Sequence, residues 1–202
     1  STTWIDLVPN RSYVLSEDEP IKPWVEAKFE CTIDGVAVGE QLGVPASLAA
    51  ESLAAFQGVA RRFERLGSLG TSIVIDDYAH HPTEIAATIE AAKLCARKRL
   101  VVVFQPHRFS RTKLLLDMFP RSFENSDYLV VTDIYSAGED PLEGVSAQGL
   151  VDRVRSATRL PVDYVGKDKV IEHLKGRVQK DDLVLFLGAG DITRLSDEFA
   201  KS

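Results

Sequence analysis

The sequence predicts an α/β protein: a doubly wound, mostly parallel sheet with helices on both faces, preceded by a small irregular segment with short β-structure. Three observations predict it. Short runs rich in β-branched residues alternate with helical patterns, which implies crossover connections and parallel pairing. The runs are apolar at successive positions rather than alternating, as strands covered on both faces must be. Histidine, arginine and tyrosine gather directly after the runs, at the end of the sheet where open α/β proteins bind ligands.

The elements follow in order. Residues 1 to about 56 are punctuated by Pro9, Pro20, Pro23 and Pro45, with the acidic run Glu17-Asp18-Glu19 in a turn. Phe29–Val38 is expected to form one or two short strands. Leu48, Ala49, Leu53 and Phe56 make an apolar stripe, so 47–56 reads as a helix with Ser47 as its N-cap. From residue 57 the chain becomes regular. Arg61–Leu66, before the turn Gly67-Ser-Leu-Gly70, reads as an antiparallel edge strand. Strands are expected over 71–76, 100–104, 128–132, 161–165 and 183–187. Helices are expected over 83–97, 111–125, 147–157, 169–179 and 192–201. Cys95 shares a helical stripe with Ile85, Ile89 and Ala92 and belongs to the core.

Composition narrows the function. Of 202 residues, 45% are hydrophobic and 27% charged, which suits a globular chain and excludes extensive disorder. There are 24 Lys+Arg against 30 Asp+Glu, a net charge of −6. That sign argues against a nucleic-acid partner held by its phosphates. No apolar run approaches the ~20 residues that cross a bilayer, so no membrane insertion is expected. The opening residues lack the basic and apolar regions of a secretory signal. Cys31 and Cys95 have neither a Cys-x-x-Cys pattern nor histidine at ligand spacing, so no metal site is expected and a cytoplasmic location fits.

The loops after the strands carry the chemistry. After the first comes Asp76-Asp-Tyr-Ala-His-His-Pro-Thr-Glu84, where Asp76 and Asp77 suit ribose hydroxyls and His80 suits a carboxylate or phosphate beside a helix N-terminus. After the second comes Gln105-Pro-His-Arg-Phe-Ser-Arg-Thr112. Here Arg108 and Arg111 are expected to flank a helix's first turn, and arginine binds carboxylate or phosphate through two parallel hydrogen bonds. The Gly188-Ala-Gly190 turn allows close backbone approach, but no third glycine completes a dinucleotide fingerprint.

Five segments carry a resemblance: Gly58-Val-Ala-Arg-Arg-Phe-Glu64, Asp76–Ile85, Phe104–Thr112, Asp133-Ile-Tyr-Ser-Ala-Gly-Glu139 and Leu187-Gly-Ala-Gly-Asp191. In order and spacing they resemble the C-terminal domain of the ATP-dependent Mur ligases of bacterial cell-wall synthesis, over about residues 47–202. The Gln105–Arg111 loop favours the alanine-adding branch over the branch that recycles a tripeptide. The resemblance implies a Rossmann-like domain over 57–202 and a remnant of the central ATP-binding domain over 1–56. It implies ATP, Mg2+, UDP-N-acetylmuramate and L-alanine as reactants and cofactors of the whole enzyme. His80, His107 and Arg111 would meet L-alanine's carboxylate or the reacting centre. Arg108 would lie near the transferred phosphate, and Asp77 and Tyr78 beside the nucleotide. The family's Gly-Lys-Thr/Ser phosphate loop has no counterpart here, since Gly166-Lys167 precedes Asp168 without a glycine framework. This chain alone is therefore expected not to turn over, with the phosphate and magnesium ligands supplied by missing N-terminal and central domains. The alternatives are a non-catalytic nucleotide-binding or protein-interaction module derived from such a ligase, or the tripeptide-recycling ligase of the same family.

Overall fold

A computed structural model describes residues 2–8, 11–16, 40–54 and 59–202. The chain divides into two compact units, Ser1–Gly58 and Val59–Ser202. In the first, β1 (Thr2–Val8) pairs antiparallel with β2 (Arg11–Ser16), where irregular chain was expected. Strand periodicity in Trp4-Ile-Asp-Leu-Val8 was the available signal. The strands expected in Phe29–Val38 lie outside the described residues. Helix α1 spans Ala46–Ala54. Its first turn closes when the Ala49 amide donates to the Pro45 carbonyl at 3.0 Å, so Ser47 lies inside the helix and is not its cap.

The second unit runs β3 (Glu64–Leu69), β4 (Ser72–Asp77), α2 (Pro82–Cys95), β5 (Leu100–Phe104), α3 (Phe109–Leu114), α4 (Phe119–Ser122), β6 (Tyr128–Val131), α5 (Ala147–Ala157), β7 (Val162–Tyr164), α6 (Val170–Arg177), β8 (Leu183–Leu187) and α7 (Thr193–Ala200). These form one six-stranded sheet in the order β3-β4-β8-β5-β6-β7. Only the β3–β4 pair is antiparallel. The last strand inserts between β4 and β5, so β5 and β8 are central and every residue of both is buried. That accounts for their unbroken apolar runs.

Alternate residues of each central strand feed opposite faces. Val102, Phe104 and Leu185 pack with Ile85 and Ile89 of α2, Phe119 of α4 and Leu150 and Val154 of α5. Val101, Val103, Val184 and Phe186 pack with Val170 and Leu174 of α6 and Phe199 of α7. Helix α6 is also tied to the β6–β7 edge, where the Tyr128 hydroxyl lies 2.6 Å from both Asp163 Oδ2 and His173 Nε2.

Two boundaries differ from expectation. The single helix expected over 111–125 is broken into α3 and α4, because Pro120 has no N–H to donate and its ring collides with the preceding turn. The edge strand starts at Glu64 rather than Arg61 and passes through Gly67, with a register slip between Arg65 and Gly67. Arg61 and Phe63 take left-handed conformations, φ 59° and 50°, and so leave the strand. They are held there because Phe63 N–H donates to Asp77 Oδ2 at 2.7 Å and Tyr78 N–H donates to the Arg61 carbonyl at 2.8 Å.

Registry places the loops together. Leu187 is opposite both Asp77 and Phe104, and Phe104 is opposite Val131. The chain therefore leaves β4, β8, β5 and β6 at one rim.

Candidate functional site

At that rim four rings form a row across three loops. Tyr78 meets His80 edge-on with centroids 5.5 Å apart, His80 lies 5.8 Å from His107, and His107 stacks on Tyr135 at 5.6 Å. The guanidiniums of Arg61 and Arg62 lie over the Tyr78 ring at 4.9 and 5.2 Å, at cation–π distance. Arg111 donates to His107 Nδ1 at 3.2 Å.

The first loop is built around two caps. His81 is the N-cap of α2: its Nδ1 accepts from Thr83 N–H at 3.3 Å, and the Glu84 carboxylate accepts in return from the His81 and His80 amides. This is a capping box with histidine in place of serine, followed by Pro82 in the first turn. Asp77 is the second anchor. Its two oxygens accept from Phe63 N–H and Ala79 N–H, each at 2.7 Å, and burial holds its carboxyl above the usual range despite those bonds. Asp76, expected to reach a ribose, is fully buried and faces inward toward Arg61 at 3.5 Å. Burial raises its carboxyl too, against the opposing pull of the Thr193 and Ser196 hydroxyls and of Arg61.

The two histidines are set in complementary tautomers. His80 Nδ1 lies 3.1 Å from the Tyr78 carbonyl, which only accepts, so Nδ1 carries the hydrogen and Nε2 keeps a free lone pair. Neutral His80 is thus an acceptor at Nε2 and donates to an anion only as imidazolium. His107 is the reverse, because Arg111 donates to Nδ1 and leaves the hydrogen on Nε2. Burial lowers the His107 pKa, the charges of Arg111, His80 and Arg108 lower it further, and Glu139 opposes them. His107 is therefore a neutral donor at pH 7. Its proton linkage has a definite sign. Above pH 6.5 it is neutral folded and unfolded; below that the unfolded chain takes the proton first, and folding stability falls. Between pH 7.5 and 5.5 the wild type is expected to lose more stability than His107→Gln in urea unfolding; equal losses would contradict the assignment.

The second loop carries Arg108 at φ 69° and ψ 140°, a strained conformation for a residue with a side chain. Its amide donates to the Tyr135 carbonyl at 2.8 Å, and its own carbonyl accepts from the Thr112 amide and hydroxyl. Arg108 is the N-cap of α3 and its side chain is exposed. Arg108 and Arg111 do flank the first turn of α3, but the anion there is the chain's own Glu139, which accepts from the Ser110 amide at 3.0 Å.

The glycine turn is held from two sides. Arg61 donates to the Gly188 and Gly190 carbonyls at 2.6 and 3.1 Å. A Cβ on Gly190 would lie 2.6 Å from Tyr135 Cγ, so only glycine lets the turn pass under that ring. Beside it Gln105 donates to Asp191 at 2.9 Å, and Lys167 pairs with Asp191's other oxygen. Sequence reasoning brought His80, His107, Arg108, Arg111, Asp77 and Tyr78 to one rim. It passed over Arg61, Tyr135 and Glu139, although all three stand inside the quoted motifs. Among the described residues no group of three or more His, Cys, Asp or Glu could hold a metal ion. No helix among them is long and apolar enough to cross a membrane.

A doubly wound sheet whose rim gathers arginine and histidine from separate loops defines an open α/β domain with a cationic edge at the carboxyl ends of its strands. The family model "Mur ligase, glutamate ligase domain" matches residues 61–190, and the chain belongs to that family. It is 46% identical over 164 residues to a UDP-N-acetylmuramate--L-alanine ligase of Geobacter sp. (strain M21), covering 80% of this chain and 36% of that protein. It is 48% identical over 166 residues to the protein so named from Geobacter sulfurreducens, covering 81% and 36%. The chain thus spans about a third of the length of these relatives. The solved UDP-N-acetylmuramate-alanine ligase of Thermotoga maritima superposes with a TM-score of 0.65 at 29% identity, over 84% of this chain and 36% of that one.

Proposed function

We propose that this chain is the C-terminal part of an ATP-dependent ligase that joins L-alanine to UDP-N-acetylmuramate in peptidoglycan synthesis, in the cytoplasm. ATP gives its terminal phosphoryl group to the muramate carboxylate with loss of ADP, the amine of L-alanine attacks the acyl carbon and gives up a proton, and the tetrahedral intermediate expels phosphate as the amide forms. One observation carries the reading: His80, His107 and Arg111, drawn from two loops, sit in contact at the rim, in a chain 46% identical to ligases of this name.

The roles follow from the donors. Arg111 and His107 Nε2–H offer hydrogens to the carboxylate of L-alanine or to the oxyanion of the intermediate, where preorganised donors are most effective. His80 Nε2 offers a lone pair on the same side. Arg108, exposed and charged, faces the transferred phosphate. Tyr78, with its two guanidiniums, lies beside the nucleotide base and ribose, and Asp77 shapes that loop while offering its remaining lone pairs to the ribose. Magnesium, which neutralises phosphate charge in such reactions, finds no ligand cluster among the described residues, and no step here passes through it.

The test is phosphate release with UDP-N-acetylmuramate, L-alanine and ATP. The chain alone is expected to stay at background, and a longer protein carrying it to turn over. Robust release by the chain alone would overturn the expected inactivity. A longer protein that forms no UDP-N-acetylmuramoyl-alanine would overturn the ligase reading.

A further inference from the structure

The loop after β6 touches the cationic loop at every level. Its backbone brackets the cationic loop: Tyr135 N–H donates to the Pro106 carbonyl at 2.9 Å, and the Tyr135 carbonyl accepts from Arg108 N–H at 2.8 Å. These bonds extend β5–β6 pairing by one isolated bridge, His107 to Tyr135. The Tyr135 ring stacks on His107 with 26° between planes, and its other surroundings include the bare Cα of Gly190. The chain then turns sharply. Ala137 and Gly138 both adopt left-handed backbone, φ 51° and 87°, and Glu139 N–H donates to the Ser136 carbonyl at 3.1 Å. A non-glycine residue pays for that conformation only where the geometry demands it. The turn aims Glu139 back across the rim, where Oε2 accepts from Ser110 N–H at 3.0 Å and Oε1 from the Ser110 hydroxyl at 2.5 Å. Helix α3 has no side-chain cap of its own. Glu139 supplies it from 29 residues away.

We propose that Tyr135 and Glu139 are positioning residues for His107, Arg108 and Arg111: the ring fixes the imidazole plane, and the carboxylate fixes the start of the helix that carries Arg111. This rests on the ligase reading above for its consequence, though not for its geometry. The titratable and charged groups facing His107 are His80 from the loop after β4, Arg108 and Arg111 from its own segment, and Glu139 from the loop after β6. Glu139 is the member of that set that favours the imidazolium. Removing that charge tests whether Glu139 faces the imidazole, and the comparison of Glu139→Ala with Glu139→Gln in the longer ligase tests whether it fixes the start of α3.

The experiment has two arms. In this chain, the imidazole nitrogens of His107 are followed by NMR against pH in the wild type, Glu139→Gln and Tyr135→Leu. Glu139→Gln keeps an acceptor for Ser110 and removes the charge, so the His107 midpoint is expected to move down while the His173 resonances stay in place. Tyr135→Leu is expected to shift the His107 ring resonances without moving those of His173. An unmoved His107 in both variants, each folded by its amide spectrum, overturns the proposal. In the longer ligase, Glu139→Ala, which removes both acceptors for Ser110, is expected to lower kcat about tenfold, as small misplacements of a reacting group do, with Glu139→Gln restoring most of it. If wild-type ligase is inactive the functional reading fails, and the imidazole arm still decides the positioning claim.

Discussion

Arg111→Ala in the longer ligase is expected to lower kcat about a hundredfold or more, the loss that follows removal of one preorganised donor from developing negative charge. Two losses combine. The guanidinium proposed to meet the anion is gone, and so is the hydrogen bond at 3.2 Å that keeps the His107 hydrogen on Nε2. His107→Ala is expected to cost a comparable factor. Because the pair acts as a unit, the double variant should fall little below the worse single one. Arg111→Lys separates the contributions: it keeps the charge but loses the planar fork that serves the imidazole and the anion together. Steady-state phosphate release measures all four. A change under about threefold in both single variants would return the residues to ordinary solvated surface.

The second large effect is on folding. Arg61→Ala is expected to destabilise the Val59–Ser202 unit by about 3 kcal/mol, because removing the half-buried partner of a fully buried carboxylate strands that carboxylate. Asp76 is fully buried 3.5 Å from Arg61 Nε, and the Gly188 and Gly190 carbonyls lose their donor in the same stroke. Thermal unfolding should show Tm lowered by roughly 6–12 °C at this size. Asp76→Asn in the Arg61→Ala background removes the stranded charge and should recover part of the loss. A Tm within about 1 °C of wild type for Arg61→Ala would show that the clamp carries little.

Much of the fold was legible because β5 and β8 are buried on both faces and so must be apolar throughout, and because α2, α5, α6 and α7 show helical periodicity. The rim was legible because His80 directly follows β4, and His107, Arg108 and Arg111 directly follow β5. What the chain did not disclose depends on long-range contact. Nothing local says that Glu139 caps a helix at Ser110, that Arg61 reaches the carbonyls after β8, or that Asp76 turns inward while Asp77 grips two amides. His81 capping α2 was hidden for another reason: histidine is not among the preferred caps, and its role appears only when Glu84 answers it. Pro120 did carry a readable signal for the helix break, which the apolar pattern across it concealed.

The central claim is that groups from separate loops meet one anionic reactant at this rim. The most direct measurement is a crystal structure of the longer ligase with an acyl-phosphate or tetrahedral-intermediate analogue bound. The account predicts its anionic group within hydrogen-bond reach of Arg111 and His107, with His80 on the same side. An analogue bound at the opposite ends of the strands, with those three side chains facing solvent, would contradict it.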